Sequence, residues 1–144
     1  MIVHLAPIEA AARVAAGALY LDVRTPEEFE EGHAEGAWNL PVKLRSSTRG
    51  LVDNPRFREL AAKLVDPHRE LVVGCKSGPR SELAATWLAG RPGSIAVVVG
   101  GFEGRRDAFG TLEAPGWKQS ELPVSYDPSS SYEALLARLG DKAE

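Results

Sequence analysis

Residues 71–83 read Leu71-Val72-Val73-Gly74-Cys75-Lys76-Ser77-Gly78-Pro79-Arg80-Ser81-Glu82-Leu83. An apolar run stops at a glycine, the chain's single cysteine follows, and two cations come soon after it. A short apolar run closed by a turn signal predicts a buried strand. The spacing of Leu83, Ala84, Trp87 and Leu88 predicts a helix from Ser81 that Gly90 stops. Strand, loop and helix in this order form half of a right-handed crossover to a parallel neighbour.

The same pattern recurs on either side. Ala18-Leu19-Tyr20-Leu21 and Ile95-Ala96-Val97-Val98-Val99 predict buried strands, with Val3-His4-Leu5 as a short edge strand and Ala37-Trp38-Asn39-Leu40 as a further piece. Between them, Pro7 is placed to open a helix with Ile8, Ala11, Ala12 and Ala15 on one face and Gly17 at its end. After Pro55, Phe57, Leu60, Ala61, Leu64 and Val65 make a second helical stripe. Alternating strands and helices predict an α/β domain: a central, mainly parallel sheet with helices on both faces. From Gly110 to Ser131 the chain reads as loop, with Asp127-Pro128-Ser129-Ser130-Ser131 as a linker or helix lead-in. Tyr132, Leu135, Leu136 and Leu139 then form a one-sided helix ending at Gly140, its stripe to be covered by the same domain or by a second subunit.

A chain of 144 residues is the size of one domain and buries roughly two thirds of its unfolded surface. Its composition, 44% hydrophobic and 26% charged with a net charge of −3, is that of a soluble protein and argues against nucleic acid as a partner. No apolar run reaches the roughly 20 residues of a membrane helix. The N-terminus carries no positive leader, and one cysteine makes no internal disulfide, so the expected compartment is the cytoplasm. His4, His33 and His68 lack metal-ligand spacing, so neither a metal nor a cofactor is expected.

A lone cysteine at a strand end is often just a small buried hydrophobe. The neighbours point elsewhere. Sites of open parallel sheets lie beyond the C-terminal strand ends, and Cys75 falls there. A cation at a helix N-terminus opposes the helix dipole by about a few tenths of a kcal/mol. An anion in the loop removes that conflict, and the amides of Lys76, Ser77, Gly78, Arg80 and Ser81 are available to cradle it. A free thiol of pKa ~8.5 is only a few per cent ionised at pH 7, so lowering it by two units takes about 2.7 kcal/mol. One or two charge-assisted hydrogen bonds of ~1.5–3 kcal/mol supply that.

The stretch Cys75-Lys76-Ser77-Gly78-Pro79-Arg80-Ser81 resembles the active loop of the rhodanese-like sulfurtransferases: Cys, two residues, Gly, one residue, Arg. Leu21-Asp22-Val23-Arg24, Glu28-Phe29, Gly32-His33, Gly36-Ala37, Asn39 and Pro41 are similar to a second family signature. Val99-Gly100-Gly101-Phe102 and Leu122-Pro123-Val124 fit further downstream. The resemblance spans about residues 3–124, giving a domain over 1–124 and a C-terminal extension over 125–144 with one short amphipathic helix. Glu35 stands where Pro is common, Lys76 where Arg is frequent, and an insertion follows Phe102.

By this resemblance Cys75 takes sulfur from a small donor as a persulfide and passes it to cyanide or a thiol, with a protein donor or acceptor also allowed and no nucleic acid or membrane partner. The implied substrate-binding residues are Lys76, Ser77, Gly78, Arg80 and Ser81. Lys76 would attract an anionic donor such as thiosulfate rather than mercaptopyruvate. Arg80 clamps the anion or, preferably, ties the loop to Asp22 or Glu28. Asp22, Arg24, Glu28 and His33 are supporting groups, with Arg24 able to reach the mouth and His33 a turn residue rather than a base. A phosphatase or arsenate reductase of related fold places Arg six residues after Cys, whereas here it is five. A sulfur carrier or partner-binding module without turnover is the other alternative.

Overall fold

The computed structural model describes residues 2–140. In chain order its elements are β1 (Ile2–Leu5), α1 (Pro7–Ala15), β2 (Leu19–Asp22), α2 (Pro26–Glu30), β3 (His33–Ala34), β4 (Trp38–Asn39), β5 (Lys43–Ser46), β6 (Gly50–Asp53), α3 (Phe57–Leu64), β7 (Leu71–Gly74), α4 (Pro79–Leu88), β8 (Ile95–Val98), β9 (Arg105–Arg106), β10 (Leu112–Ala114), β11 (Val124–Ser125) and α5 (Tyr132–Arg138). Five strands form one sheet in the order β1-β8-β7-β2-β4, and every pairing in it is parallel. β2, β7 and β8 are buried along their whole length, which explains why they read as unbroken apolar runs.

Alternate side chains of these strands serve the two faces. Leu19, Leu21, Leu71, Val73 and Val97 pack with Phe57 and Leu60 of α3, Ala84 and Ala85 of α4, and Leu136 of α5. Tyr20, Val72, Ala96 and Val98 pack with Ala10 of α1, Phe29 of α2 and Trp117. Each fully buried large side chain contributes about 1.5–3 kcal/mol of hydrophobic stabilisation, so both layers are needed.

This layering fixes where chemistry belongs. From β2 the chain passes through α2, on one face, to β4 at one sheet edge. From β7 it passes through α4, on the other face, to β8 in the opposite direction. The register sets Asp22 beside Gly74, so the loops after β2 and β7 part at the same level. That divergence is the crevice in which open α/β sheets place their sites.

Several local expectations need correction. The core face of α1 is Pro7, Ala10, Ala11 and Val14, while Ile8 is 66% exposed and Ala12 and Ala15 face solvent. Both faces fit a helical period, and the smaller side chains let the helix sit close to the sheet. α4 begins at Pro79, two residues before Ser81, because proline suits the first helical position. Its Trp87 is only half-buried, covering Phe57 with ring centroids 5.9 Å apart under the Arg58 guanidinium. The hairpin β5–β6 lacks an apolar alternation that would have announced it. The stretch read as loop contains β10 and β11, which pair with β9 and β3. Ser131 caps α5 through the Ala134 amide, and α5 buries Tyr132, Leu135 and Leu136 within this same chain.

Candidate active site

Position 74, the last of β7, is glycine because a Cβ there would collide with the Tyr20 hydroxyl. Cys75 follows, and the backbone turns at Gly78, whose φ of +150° is open to glycine. The turn aims the Gly78 amide back at the cysteine, and it donates to Sγ at 3.1 Å. Ser81 Oγ lies 3.3 Å from the same sulfur. The Cys75 residue is 1% exposed, yet its sulfur meets an amide, a hydroxyl and the N-terminus of α4.

The Ser81 hydroxyl has one proton and donates it to the Gly78 carbonyl at 2.8 Å. The Cys75–Ser81 contact is then an S–H···O bond while the thiol is neutral. The Gly78 carbonyl also accepts from the Glu82 amide at 3.2 Å.

A second layer holds this loop from below. Phe102 and Glu103 amides donate to the carbonyls of Cys75 and Lys76 at 2.7 and 2.9 Å. Gly101, at φ +59°, approaches so closely that a Cβ would strike the Cys75 carbonyl. Asp22, Arg24 and Asn39 fix the neighbouring loop. Arg24 Nη2 donates to Asp22 Oδ2 at 2.8 Å and to the Gly32 carbonyl at 2.7 Å, with its guanidinium 4.4 Å from the Phe102 ring centre. Asn39 Nδ2 donates to the carbonyls of Asp22 and Arg24. Burial pulls the Arg24 pKa down, and the adjoining Asp22 carboxylate more than reverses this.

Arg80 reaches across to α2. Its Nη1 and Nη2 donate to the two Glu28 carboxylate oxygens, and Glu28 also closes a capping box with Thr25. Burial raises the Glu28 pKa, but the Arg80 and Thr25 hydrogen bonds outweigh it and hold the group at about 2.

The sequence-derived site residues thus divide. Cys75, Gly78 and Ser81 converge on the sulfur. Lys76 is exposed beside it and Ser77 half-buried, and neither side chain bonds to the thiol. Of the two acids suggested for Arg80, Glu28 is its partner. Arg24 lies buried with its guanidinium turned inward, not at the mouth. His33 stacks on Phe29 at 3.6 Å and bonds the Phe29 carbonyl through Nδ1, away from the cysteine loop. Sequence reasoning missed the bracing by Asn39, Thr25 and the Phe102 and Glu103 amides. The paired Gly100-Gly101 was the signal for the last of these.

The chain matches the family model of the rhodanese-like domain over residues 6–108. It belongs to the rhodanese-like family. This rhodanese-like domain is 41% identical over 109 residues to thiosulfate sulfurtransferase 16, chloroplastic, of Arabidopsis thaliana, covering 76% of this chain and 81% of that protein. It is 38% identical over 119 residues to the senescence-associated protein DIN1 of Raphanus sativus, covering 82% of this chain but only 58% of that relative's length. In fold it resembles a rhodanese-related protein from Thermoplasma volcanium, with a TM-score of 0.60 at 21% identity over 87% of this chain and 99% of the other. The five-stranded parallel sheet with helices on both faces is thus the rhodanese-like fold. Among the described residues no helix is long and apolar enough to cross a membrane.

Proposed function

We propose that this domain is a sulfurtransferase that carries sulfane sulfur on Cys75, from an anionic donor such as thiosulfate to cyanide or a thiol. The Cys75 thiolate attacks the outer sulfur of thiosulfate. A Cys–S–S⁻ bond forms, the sulfur–sulfur bond of the donor breaks, and sulfite leaves with the bonding pair. The acceptor then attacks the terminal sulfur. Cyanide leaves as thiocyanate and Cys75 returns as thiolate, so the two half-reactions balance in atoms and charge.

The observation that supports this most is the Gly78 amide donating to Cys75 Sγ at 3.1 Å. A hydrogen-bond donor aimed at a sulfur, next to a helix N-terminus, offers N–H groups to the negative charge carried through the transfer. Ser81 supplies a second group, and Lys76, exposed beside the loop, is the natural collector of anionic donors. Ser77 forms part of the rim. A phosphatase reading would ask Arg80 to clamp phosphate, and Arg80 is instead committed to Glu28.

The test is Cys75→Ser combined with intact mass after each donor. We expect a gain of about 32 Da, one sulfur, on the wild-type chain with thiosulfate, and neither adduct nor thiocyanate from the variant. Sustained thiocyanate production by folded Cys75→Ser would overturn the mechanism. An adduct without turnover would favour a sulfur carrier.

A further inference from the structure

Two hairpins are rooted on either side of the cysteine loop. The Val23 amide donates to the Gly74 carbonyl at 2.9 Å and the Val42 amide to the Val23 carbonyl at 3.2 Å, which ties the root of β5–β6 to the residue before Cys75. On the other side the Phe102 amide holds the Cys75 carbonyl and the Lys118 amide donates to the Phe102 carbonyl at 3.0 Å. The chain between those two residues carries β9–β10. Among the described lysines and arginines, only Arg45, Arg49, Lys76 and Lys118 make neither an ion pair nor a side-chain hydrogen bond, and all are exposed. Every one of them lies on the loop or on these flanks. The carboxylates of the two hairpins are engaged: Asp53 by Lys43 at 3.3 Å, Glu113 by Arg105 at 3.4 Å, and Asp107 by the Phe109 and Thr111 amides. Glu103 alone in these segments keeps a free carboxylate. An uncompensated positive rim, in a chain of net charge −3, raises the local concentration of anionic partners.

Charge by itself suits any anion, and the apolar side chains of the same rim select among them. Arg45 faces Leu51 across β5–β6, on the side away from Leu44, which packs on the core. Leu51, Phe109 and Leu112 are exposed large apolar residues, and all lie on the two hairpins. Arginine beside exposed aliphatic and aromatic groups is the make-up of a protein-binding surface. A nucleic acid calls for a domain that is basic as a whole, which this one is not.

We propose that this rim docks an acidic protein whose cysteine takes sulfane sulfur from Cys75. The inference rests on the sulfurtransferase reading above and names the acceptor. The partner's cysteine thiolate attacks the terminal sulfur of the Cys75 persulfide. A sulfur–sulfur bond forms on the partner, the bond to Cys75 Sγ breaks, and its electron pair stays on Cys75 as thiolate. The persulfide and its negative charge thus move to the partner, with atoms and electrons balanced. Carboxylates around that cysteine meet Arg45, Arg49 and Lys118, and an apolar neighbour lies against Leu51.

The experiment loads the full chain with thiosulfate and follows single-turnover sulfur transfer at low salt to cyanide and to two short peptides. One peptide sets a cysteine and a leucine among aspartates and glutamates, and the other has lysines in place of the acids. We expect the acidic peptide to react at least about tenfold faster than the basic one, the gap closing near about 0.5 M salt. The double variant Arg45→Ser, Arg49→Ser changes two exposed side chains, so it should melt as the wild type and keep its rate with cyanide. With the acidic peptide it should slow at least about fivefold. An amide-resolved NMR titration with the serine form of the acidic peptide needs no sulfur chemistry. Saturable shifts are expected across residues 43–53, 76–78 and 103–118, with binding at least about fivefold weaker in the double variant. If thiosulfate leaves no adduct on Cys75, the sulfurtransferase reading falls, and the titration decides the docking surface separately. Absence of saturable shifts, equal transfer to the two peptides, or an unchanged peptide rate in the double variant would overturn the proposal, as would tighter binding of a short oligouridylate than of the acidic peptide.

Discussion

Glu28 and Arg80 are joined by two hydrogen bonds, 2.6 and 3.0 Å long, that link helices on opposite faces of the sheet. The pair sits beside the crevice where the chain reverses direction, so it sets the first turn of α4 against the start of α2. Bidentate arginine–carboxylate geometry fixes orientation as well as distance. The cysteine loop is suspended between these two anchors.

Acid should loosen this link. The folded-state pKa of Glu28, about 2, lies below its ordinary value of 4.5. Its contribution is therefore complete above pH 4.5 and fades as pH falls toward 2. A shift of that size corresponds to at most about 3 kcal/mol, and partial exposure lowers it to about 1–3. Glu28→Gln should lose about that much at pH 7 by denaturant unfolding, and the two chains should converge near pH 2. A gap that persists at pH 2 would contradict the assignment.

Ser81→Ala removes a hydroxyl from the sulfur but leaves the Gly78 carbonyl bonded to the Glu82 amide. Stability should change by less than about 1 kcal/mol. Alkylation of Cys75 at pH 7 should slow about five- to tenfold, and sulfur transfer should fall in proportion. Equal alkylation rates in the two proteins would show that Ser81 does not help the anion.

Gly101→Ala tests the brace beneath the loop. The new Cβ meets the Cys75 carbonyl and Lys76 backbone atoms, and the backbone already sits in the left-handed region. Backbone cannot move aside as a flexible side chain does, so we expect at least about 3 kcal/mol of destabilisation. Thermal unfolding measures it. Gly110→Ala, with open space around its Cβ, is the control and should cost about 1 kcal/mol.

Lys76→Ala should raise the apparent KM for thiosulfate several-fold with a smaller change in kcat, and the gap should close as salt rises to about 0.5 M. A salt-independent KM in both proteins would remove Lys76 from donor collection.

The cysteine loop was legible because its signals are local: an apolar run, a glycine and a helix start within a dozen residues. The parallel sheet was legible for the same reason, since Leu71–Val73 and Ile95–Val98 have no polar alternation to confuse them. The face of α1 was not, because Ile8 and Ala10 both satisfy a helical period and only the sheet decides between them. The choice of Glu28 over Asp22 for Arg80 needed three dimensions. Asp22 is taken up by Arg24, two residues along the chain, which leaves Glu28 for the more distant arginine. Asn39 bonds to backbone carbonyls through its side chain, and Phe102 and Glu103 bond through their own amides, to backbone partners that residue types do not reveal.

The segment between Gly104 and Gly116 leaves the domain and returns to nearly the same point. A Cβ on Gly116 would meet the Gly104 nitrogen, and the Trp117 and Lys118 amides bond back to Gly101 and Phe102. Because this neck is closed by backbone bonds and by the Gln119 side chain, which joins the Gly116 amide to the Glu103 carbonyl, the excursion beyond it, with Phe109 at 92% exposure, is free to change length. A reporter or tag spliced at that tip would ride near the cysteine loop without entering its scaffold, which makes it the natural attachment point for a spectroscopic probe.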